Sequence, residues 1–167
     1  ARELYLEGLD VSIWCPLPIK KDLTKCHLAY ANWLGITQLI KPPNPKNESL
    51  WIESLFGLGQ LKPLSMELSD LFKSRQKTQP NRLISIDVPA GICSDTGKPF
   101  DNGAAVASFS LSIGLIKKGL VQDASIDYVG QLQTIDLGIP KQYLLKGLPE
   151  TQPLIIFPKD LESFDWP

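Results

Sequence analysis

The chain has 167 residues, of which 43% are apolar and 21% charged, and its formal net charge is −1. These values predict one soluble globular domain of ordinary size, long enough to bury a core of its own. The balanced charge gives no electrostatic footprint for nucleic acid, and no apolar run approaches the length that spans a bilayer. Nucleic acid and membrane are therefore not predicted as partners, and the basic pairs Lys20-Lys21 and Lys117-Lys118 are interpreted as solvated surface.

The three cysteines, Cys15, Cys26 and Cys93, are odd in number and lack metal-type spacing. We interpret them as reduced thiols, which favours a cytoplasmic protein. His27 is the only histidine, and no matching set of Cys or His ligands accompanies it. A place on a helix surface is therefore favoured over a metal or catalytic-triad role.

Helices and strands are predicted to alternate through the first half of the chain. Residues 1–9 resemble the end of an amphipathic helix, which suggests a true start further upstream; no secretory signal is present. One face of the predicted helix over residues 22–34 carries Leu23, Cys26, Tyr30, Trp33 and Leu34. The full predicted order is the end of a helix at 1–9, a strand at 11–14, a helix at 22–34, strands at 36–40 and 50–56, a helix at 64–74 with Pro63 in its first turn, and a strand at 83–87.

The second half predicts strands at 109–113 and 131–135, with a loop-like stretch at 119–127 between them. Strands that alternate with helices imply parallel βαβ units, so the expected class is α/β with a mostly parallel sheet. We expect the domain to cover residues 1–145. The proline-rich remainder, 146–167, is interpreted as a linker or docking arm.

Asp87 stands where the predicted strand at 83–87 should end, just before Pro89 and Gly91. A carboxylate at the carboxyl end of a buried parallel strand occupies the place where open α/β sheets bind ligands. Asp is also a common turn former, so Asp87 could simply cap the next turn. Local sequence gives these two interpretations about equal weight.

The strand at 50–56 leads into a loop that contains Gly57 and Gly59 and runs to Pro63. Two glycines let backbone amides approach an anion, and a helix that starts after Pro63 would add its positive dipole end. Glycine pairs also serve plain tight turns, so this signal alone is weak. If the two strands are neighbours in a parallel sheet, this loop and Asp87 open on the same edge.

Four motifs in the same order resemble the NAD(P)H-hydrate epimerase family, also known as the YjeF N-terminal domain. Residues 53–59 read E-S-L-F-G-L-G, where the family has D-A-L-F-G-T-G, and residues 87–97 read D-V-P-A-G-I-C-S-D-T-G, where it has D-I-P-S-G followed by D-T-G. A strand with a following lysine and glycine corresponds to residues 109–119. The family's G-x-L strand and D-I-G-I-P correspond to residues 130–140.

The resemblance implies a Rossmann-like three-layer α/β fold that interconverts the R and S forms of hydrated NADH and NADPH. It matches Asp87 to the catalytic, substrate-contacting aspartate, and it matches Glu53 and Ala90 to positions that hold a potassium ion. It also implies a role in nicotinamide nucleotide repair. A homodimer is compatible with the resemblance, and so is fusion to an ADP- or ATP-dependent NAD(P)H-hydrate dehydratase. The matched substrate-binding loop is Gly57, Leu58, Gly59, Gln60, Leu61, Lys62 and Pro63.

Several family positions differ here. Glu53 replaces an aspartate, Ala90 replaces a serine and Leu58 replaces a threonine. Losing a side-chain oxygen should weaken a site for a hard cation, so we expect weak potassium binding. The family's N-N-G-G-D segment would precede Ala1, so we expect the fragment itself to be inactive.

Three interpretations remain at this stage. Asp87 favours an epimerase, in which a carboxylate serves as general base and acid on the ring hydroxyl. The changes at positions 53, 58 and 90 favour a catalytically weakened binding or scaffold domain. An unrelated Rossmann-like nucleotide enzyme is the weakest of the three, because the four motifs keep their order.

Overall fold

The computed structural model describes residues 1–140 and 142–143. The predicted arm at 146–167 lies outside the described residues, and the domain boundary near residue 145 stays a prediction. Two short 3-10 helices, Lys118–Val121 and Asp123–Ser125, precede the helix Ile126–Val129. The other elements are α1 (Arg2–Leu6), β1 (Ser12–Trp14), α2 (Asp22–Trp33), β2 (Thr37–Leu39), β3 (Trp51–Glu53), α3 (Met66–Thr78), β4 (Leu83–Ile86), β5 (Phe109–Ile113), α4 (Ile126–Val129) and β6 (Gln131–Ile135).

Four strands form a parallel sheet in the order β3-β4-β5-β6, and β1 pairs with β2 in a parallel two-stranded sheet. Trp51 is opposite Leu83, Ile84 is opposite Phe109, and Phe109 is opposite Gln131. This confirms the predicted α/β class with a mostly parallel sheet. Because all four strands run the same way, their carboxyl ends share one edge of the sheet.

Several local predictions need correction. The strand predicted at 50–56 spans only Trp51–Glu53, and the helix predicted at 64–74 continues to Thr78. Helix α3 begins at Met66 rather than at residue 64, because the Ser65 hydroxyl accepts a hydrogen bond from Leu68 N at 3.3 Å and caps the first turn. The stretch at 119–127 forms short helical turns instead of a loop. The apolar face predicted on α2 is open: Leu23 is 70% exposed and Trp33 is 77% exposed.

Within residues 1–140 and 142–143, the core consists of two apolar clusters. One joins α3, through Leu68 and Phe72, to Leu83 of β4, and Ala90 of the following loop belongs to it. Each fully buried Leu or Phe side chain contributes about 1.5–3 kcal/mol to folding. The second cluster brings together Val88, Ile92, Leu120 and Val129. Both clusters include residues that follow Asp87, so the loop after β4 is held from two sides.

Candidate functional site

Asp87 directly follows β4, and its backbone adopts φ +77°. This left-handed conformation is uncommon for a residue with a side chain, and Asp and Asn tolerate it best. Asp87 N donates to Leu111 O at 2.8 Å, which ties the turned residue to β5. Strained residues of this kind are concentrated at functional sites, so the backbone supports a binding or catalytic role for Asp87.

The Asp87 carboxylate faces the end of β5 and does not cap its own turn. Its Oδ1 accepts a hydrogen bond from Ile113 N at 3.1 Å and pairs with the Lys117 ammonium. The Lys117 side chain is only 8% exposed, so its interpretation as solvated surface was wrong. Lys117 comes four residues after β5, whose end lies beside that of β4, and this position was the signal that could have revealed the pair.

The glycine loop after β3 meets Asp87, as expected for neighbouring parallel strands. A Cβ atom placed on Gly57 would lie 2.6 Å from Asp87 Oδ2, so only glycine leaves room for this carboxylate. Gln60 joins the two loops: its Oε1 accepts from Gly91 N at 2.9 Å, and its Nε2 donates to Lys62 O at 3.0 Å. Gln60 is therefore a buried brace between the loops.

The rest of the predicted substrate loop is open to solvent. Leu58 is 61% exposed and Leu61 is 85% exposed, while Gly59, Lys62 and Pro63 are also exposed. A groove of about 340 Å³ runs along this segment, with Asp87 outside its walls. The positive end of the helix dipole expected after Pro63 is the amino terminus of α3. This terminus is already capped by Ser65, and Glu67 places a negative charge in its first turn. The groove is lined by Phe56, Gly59, Gln60, Leu61, Lys62 and Pro63.

Glu53 and Ala90, the predicted potassium ligands, contact each other directly. Glu53 Oε1 accepts from Ala90 N at 2.9 Å and from the Ser85 hydroxyl, and Oε2 accepts from Leu55 N at 3.2 Å. Ala90 is fully buried, and its carbonyl accepts from Ala105 N at 2.8 Å. Oε1 therefore has both acceptor positions filled, whereas Oε2 and the Ala90 carbonyl each accept one bond and keep one lone pair.

Burial raises the pKa of Glu53 above its ordinary value, against the opposing effect of the hydrogen bonds from Ser85, Ala90 and Leu55. Within residues 1–140 and 142–143, no cluster of three or more His, Cys, Asp or Glu side chains is arranged to hold a metal ion. None of the helices in the same part of the chain combines the length and hydropathy needed to cross a membrane.

Comparisons with known proteins show what the chain is similar to. The family model for the YjeF-related protein N-terminus matches residues 1–119. The bifunctional NAD(P)H-hydrate repair enzyme Nnr of Synechocystis is 34% identical over 161 residues, which cover 96% of this chain and 30% of that protein. The NAD(P)H-hydrate epimerase of Levilactobacillus brevis is 26% identical over 144 residues, which cover 85% of this chain and 66% of that protein.

The fold also matches a solved structure. The crystal structure of yeast ynu0 aligns with a TM-score of 0.70 at 17% sequence identity, covering 96% of this chain and 68% of that one. The chain spans about 30% of the length of the bifunctional relatives from Synechocystis and Gloeobacter violaceus. With the family match extending over residues 1–119, the chain belongs to the family of the YjeF-related protein N-terminus.

Proposed function

We propose that this domain epimerises the R and S forms of hydrated NADH and NADPH, with Asp87 as the acid and base. The observation that carries the proposal is the Asp87 carboxylate itself, which lies at the carboxyl edge of the parallel sheet with Oδ2 against Gly57. Relatives named as epimerases and as bifunctional repair enzymes support the choice of substrate.

The reaction needs one group that takes up a proton and returns it. By ring opening, Asp87 removes the hydroxyl proton, the C–O bond becomes C=O, and the ring C–N bond breaks with its electron pair on nitrogen, which takes up a proton. Closure on the other face reverses these steps. By dehydration, a protonated Asp87 instead gives its proton to the leaving hydroxyl, which departs as water, and a water that adds to the other face of the cation returns a proton to Asp87. A positioned carboxylate typically contributes about 10²–10⁴-fold to such proton transfers.

We propose that the segment from Gly57 to Pro63 binds the nucleotide part of the substrate. Its exposed backbone at Leu58, Gly59 and Leu61 is open to a phosphate or ribose, and Lys62 supplies a cation on the same segment. Gln60 fixes the segment against Gly91, so the groove and Asp87 keep a constant separation.

A second candidate is a scaffold domain that binds the nucleotide and has weakened chemistry. The observation that favours it is the internal satisfaction of Glu53, whose oxygens accept protein hydrogen bonds where the family resemblance implies a cation. For the same reason we propose that potassium affinity is low. The cytoplasm is the proposed location, supported by free cysteines at positions 15, 26 and 93; a homodimer and a fused dehydratase are proposed from the resemblance.

The deciding experiment uses the purified full-length protein, as do the rate measurements on its variants, and supplies R-form NADH hydrate together with a dehydratase that accepts only the S form. An epimerase restores NADH at a rate proportional to its own concentration. The same protein heated before use provides the spontaneous background. Binding of the hydrate without any increase in NADH recovery would instead support the scaffold domain.

A further inference from the structure

We propose that Lys117 is a positioning residue that fixes the orientation of the Asp87 carboxylate, so that Oδ2 alone is left for proton transfer. This inference rests on the proposed function. Lys117 contacts Asp87, and the two oxygens of that carboxylate differ in what they bind.

The two oxygens of Asp87 have different surroundings. Oδ1 receives both the Ile113 amide, at 3.1 Å, and the Lys117 ammonium. Among residues 1–140 and 142–143, no hydrogen-bond donor reaches Oδ2, which lies where a Gly57 side chain would be. An oxygen that already accepts two bonds is a poor proton acceptor, whereas Oδ2 keeps its lone pairs free.

Lys117 uses all of its hydrogen-bonding capacity within the protein. Besides Asp87, its ammonium donates to Ile113 O at 2.8 Å and to Ser112 Oγ at 3.3 Å. An ammonium has three N–H donors, so none remains for a ligand. Its effect on the substrate therefore passes through Asp87, which makes it a positioning residue.

The segment that carries Lys117 is itself rigidly held. Gly119 approaches the loop after Asp87 so closely that a Cβ there would lie 2.5 Å from Cys93 O. Gly119 N also donates to Ser94 O at 2.7 Å, and Leu120 is buried in the second core cluster. The ammonium is thus presented from a fixed point, and a buried pair held this way loses little entropy in orienting the carboxylate.

The test compares Lys117→Met with Lys118→Met, since Lys118 is the exposed neighbour and has no contact with Asp87. We expect Lys117→Met to lower kcat by about 10- to 100-fold with KM within about twofold, because it misplaces the reacting oxygen and leaves substrate contacts intact. Lys118→Met should keep wild-type constants. Wild-type kcat in Lys117→Met would overturn the proposal.

Chemical rescue separates positioning from a loss of folding. In Lys117→Ala, ethylammonium should restore kcat in a saturable manner, because a free cation can refill the cavity beside Oδ1. Lys117→Met, whose side chain fills that space, should not respond. Equal responses in both variants, or none in Lys117→Ala, would contradict a specific role for the ammonium.

A readout without substrate keeps this inference separate from the proposed function. In Lys117→Met the freed carboxylate should release the Ile113 amide, and deuterium exchange at that amide should accelerate by about 10-fold relative to Lys118→Met. An unchanged Ile113 amide would overturn the positioning role. If the wild-type protein turns over no hydrate, the proposed function fails, and amide exchange alone decides whether Lys117 orients Asp87.

Discussion

At the residue scale, Gly57 offers the sharpest test of the site. The Cβ of Gly57→Ala would lie 2.6 Å from Asp87 Oδ2, so the carboxylate must move. We expect kcat for the hydrate to fall by about 10²-fold, the usual cost of misplacing a reacting group by about 1 Å. Gly59→Ala is the comparison for kcat: apart from its chain neighbours no atom lies within 4 Å of the added Cβ, so this change can alter substrate binding and KM but leaves Asp87 in place. Equal kcat values in the two variants would place the reacting group elsewhere.

Glu53 gives a prediction for the pH dependence of stability. Its pKa is raised in the folded protein, so the folded state holds this proton more tightly than the unfolded state does. The free energy of unfolding should therefore fall as pH rises from 4.5, the ordinary value, through the folded-state pKa, and stay lower above it. In Glu53→Gln this part of the decline should disappear.

Urea unfolding at a series of pH values measures this effect. Glu48→Gln is the control, because Glu48 is exposed and only its backbone carbonyl accepts a hydrogen bond, from Arg82. It should keep the wild-type slope. If Glu53→Gln keeps that slope too, Glu53 does not titrate in this range.

At the scale of elements, Arg75 anchors α3 to the loop that leads into β3. The side chain is 1% exposed, and its guanidinium lies 4.6 Å from the centre of the Trp51 ring. It donates to the carbonyls of Asn47, at 2.6 Å, of Arg82, at 3.2 Å, and of Ser49. Asn47 and Ser49 belong to the connection between β2 and β3. The Arg75 side chain therefore fixes the segment that leads into β3, the strand that ends at Glu53.

We predict that Arg75→Met lowers the free energy of unfolding by about 3 kcal/mol or more. Several buried carbonyls would lose their hydrogen-bond donor, and each unsatisfied carbonyl costs about 1–3 kcal/mol of stability. Lys77→Met, on an exposed position of the same helix, should change it by less than about 0.5 kcal/mol. Chemical denaturation of both variants checks this. Equal stabilities would show that water replaces the guanidinium without loss.

The elements also show what periodicity can predict. Strands β5 and β6 were predicted with the bounds that the structure has, since each is a short β-favouring run between turn formers. The exposure of α2 was not predicted, because apolar spacing identifies a helix face and does not say what covers it. The burial of Arg75 was not predicted for a related reason. An arginine is expected on the surface unless its partners in the folded protein are known.

At the scale of the whole molecule, ion binding can be measured through stability. We predict little thermal shift with potassium beyond that with sodium at equal ionic strength, because a ligand stabilises only in proportion to the logarithm of its concentration over Kd. Glu53→Asp combined with Ala90→Ser should introduce a potassium-specific shift. A large potassium-specific shift in the unmodified protein would contradict the internal satisfaction of Glu53 and remove the main support for the scaffold candidate.

The sequence predicted the meeting of the Asp87 and Gly57 loops because the ends of parallel neighbours share an edge. It did not predict the pairing of Lys117 with Asp87, although the family motif includes this lysine, because a lysine beside Lys118 looks like surface until β5 is known to place it next to Asp87. Glu53 was assigned to an ion by resemblance, which stays a prediction, and the hydrogen bonds that its oxygens accept from Ser85, Ala90 and Leu55 were not predicted. The order of strands and helices along the chain was accessible from pattern, whereas the order of strands within the sheet and the side-chain partners were not.

The most direct measurement of the central claim is the epimerisation rate of Asp87→Asn beside that of Asp101→Asn, whose exposed side chain lies away from these contacts. The first change keeps the shape of the side chain and removes its proton acceptor. We predict that Asp87→Asn binds the hydrate normally while its kcat falls by about 10²-fold or more, and that Asp101→Asn behaves as the wild type. A kcat for Asp87→Asn within about twofold of the wild-type value would contradict the assignment of Asp87 as the acid and base.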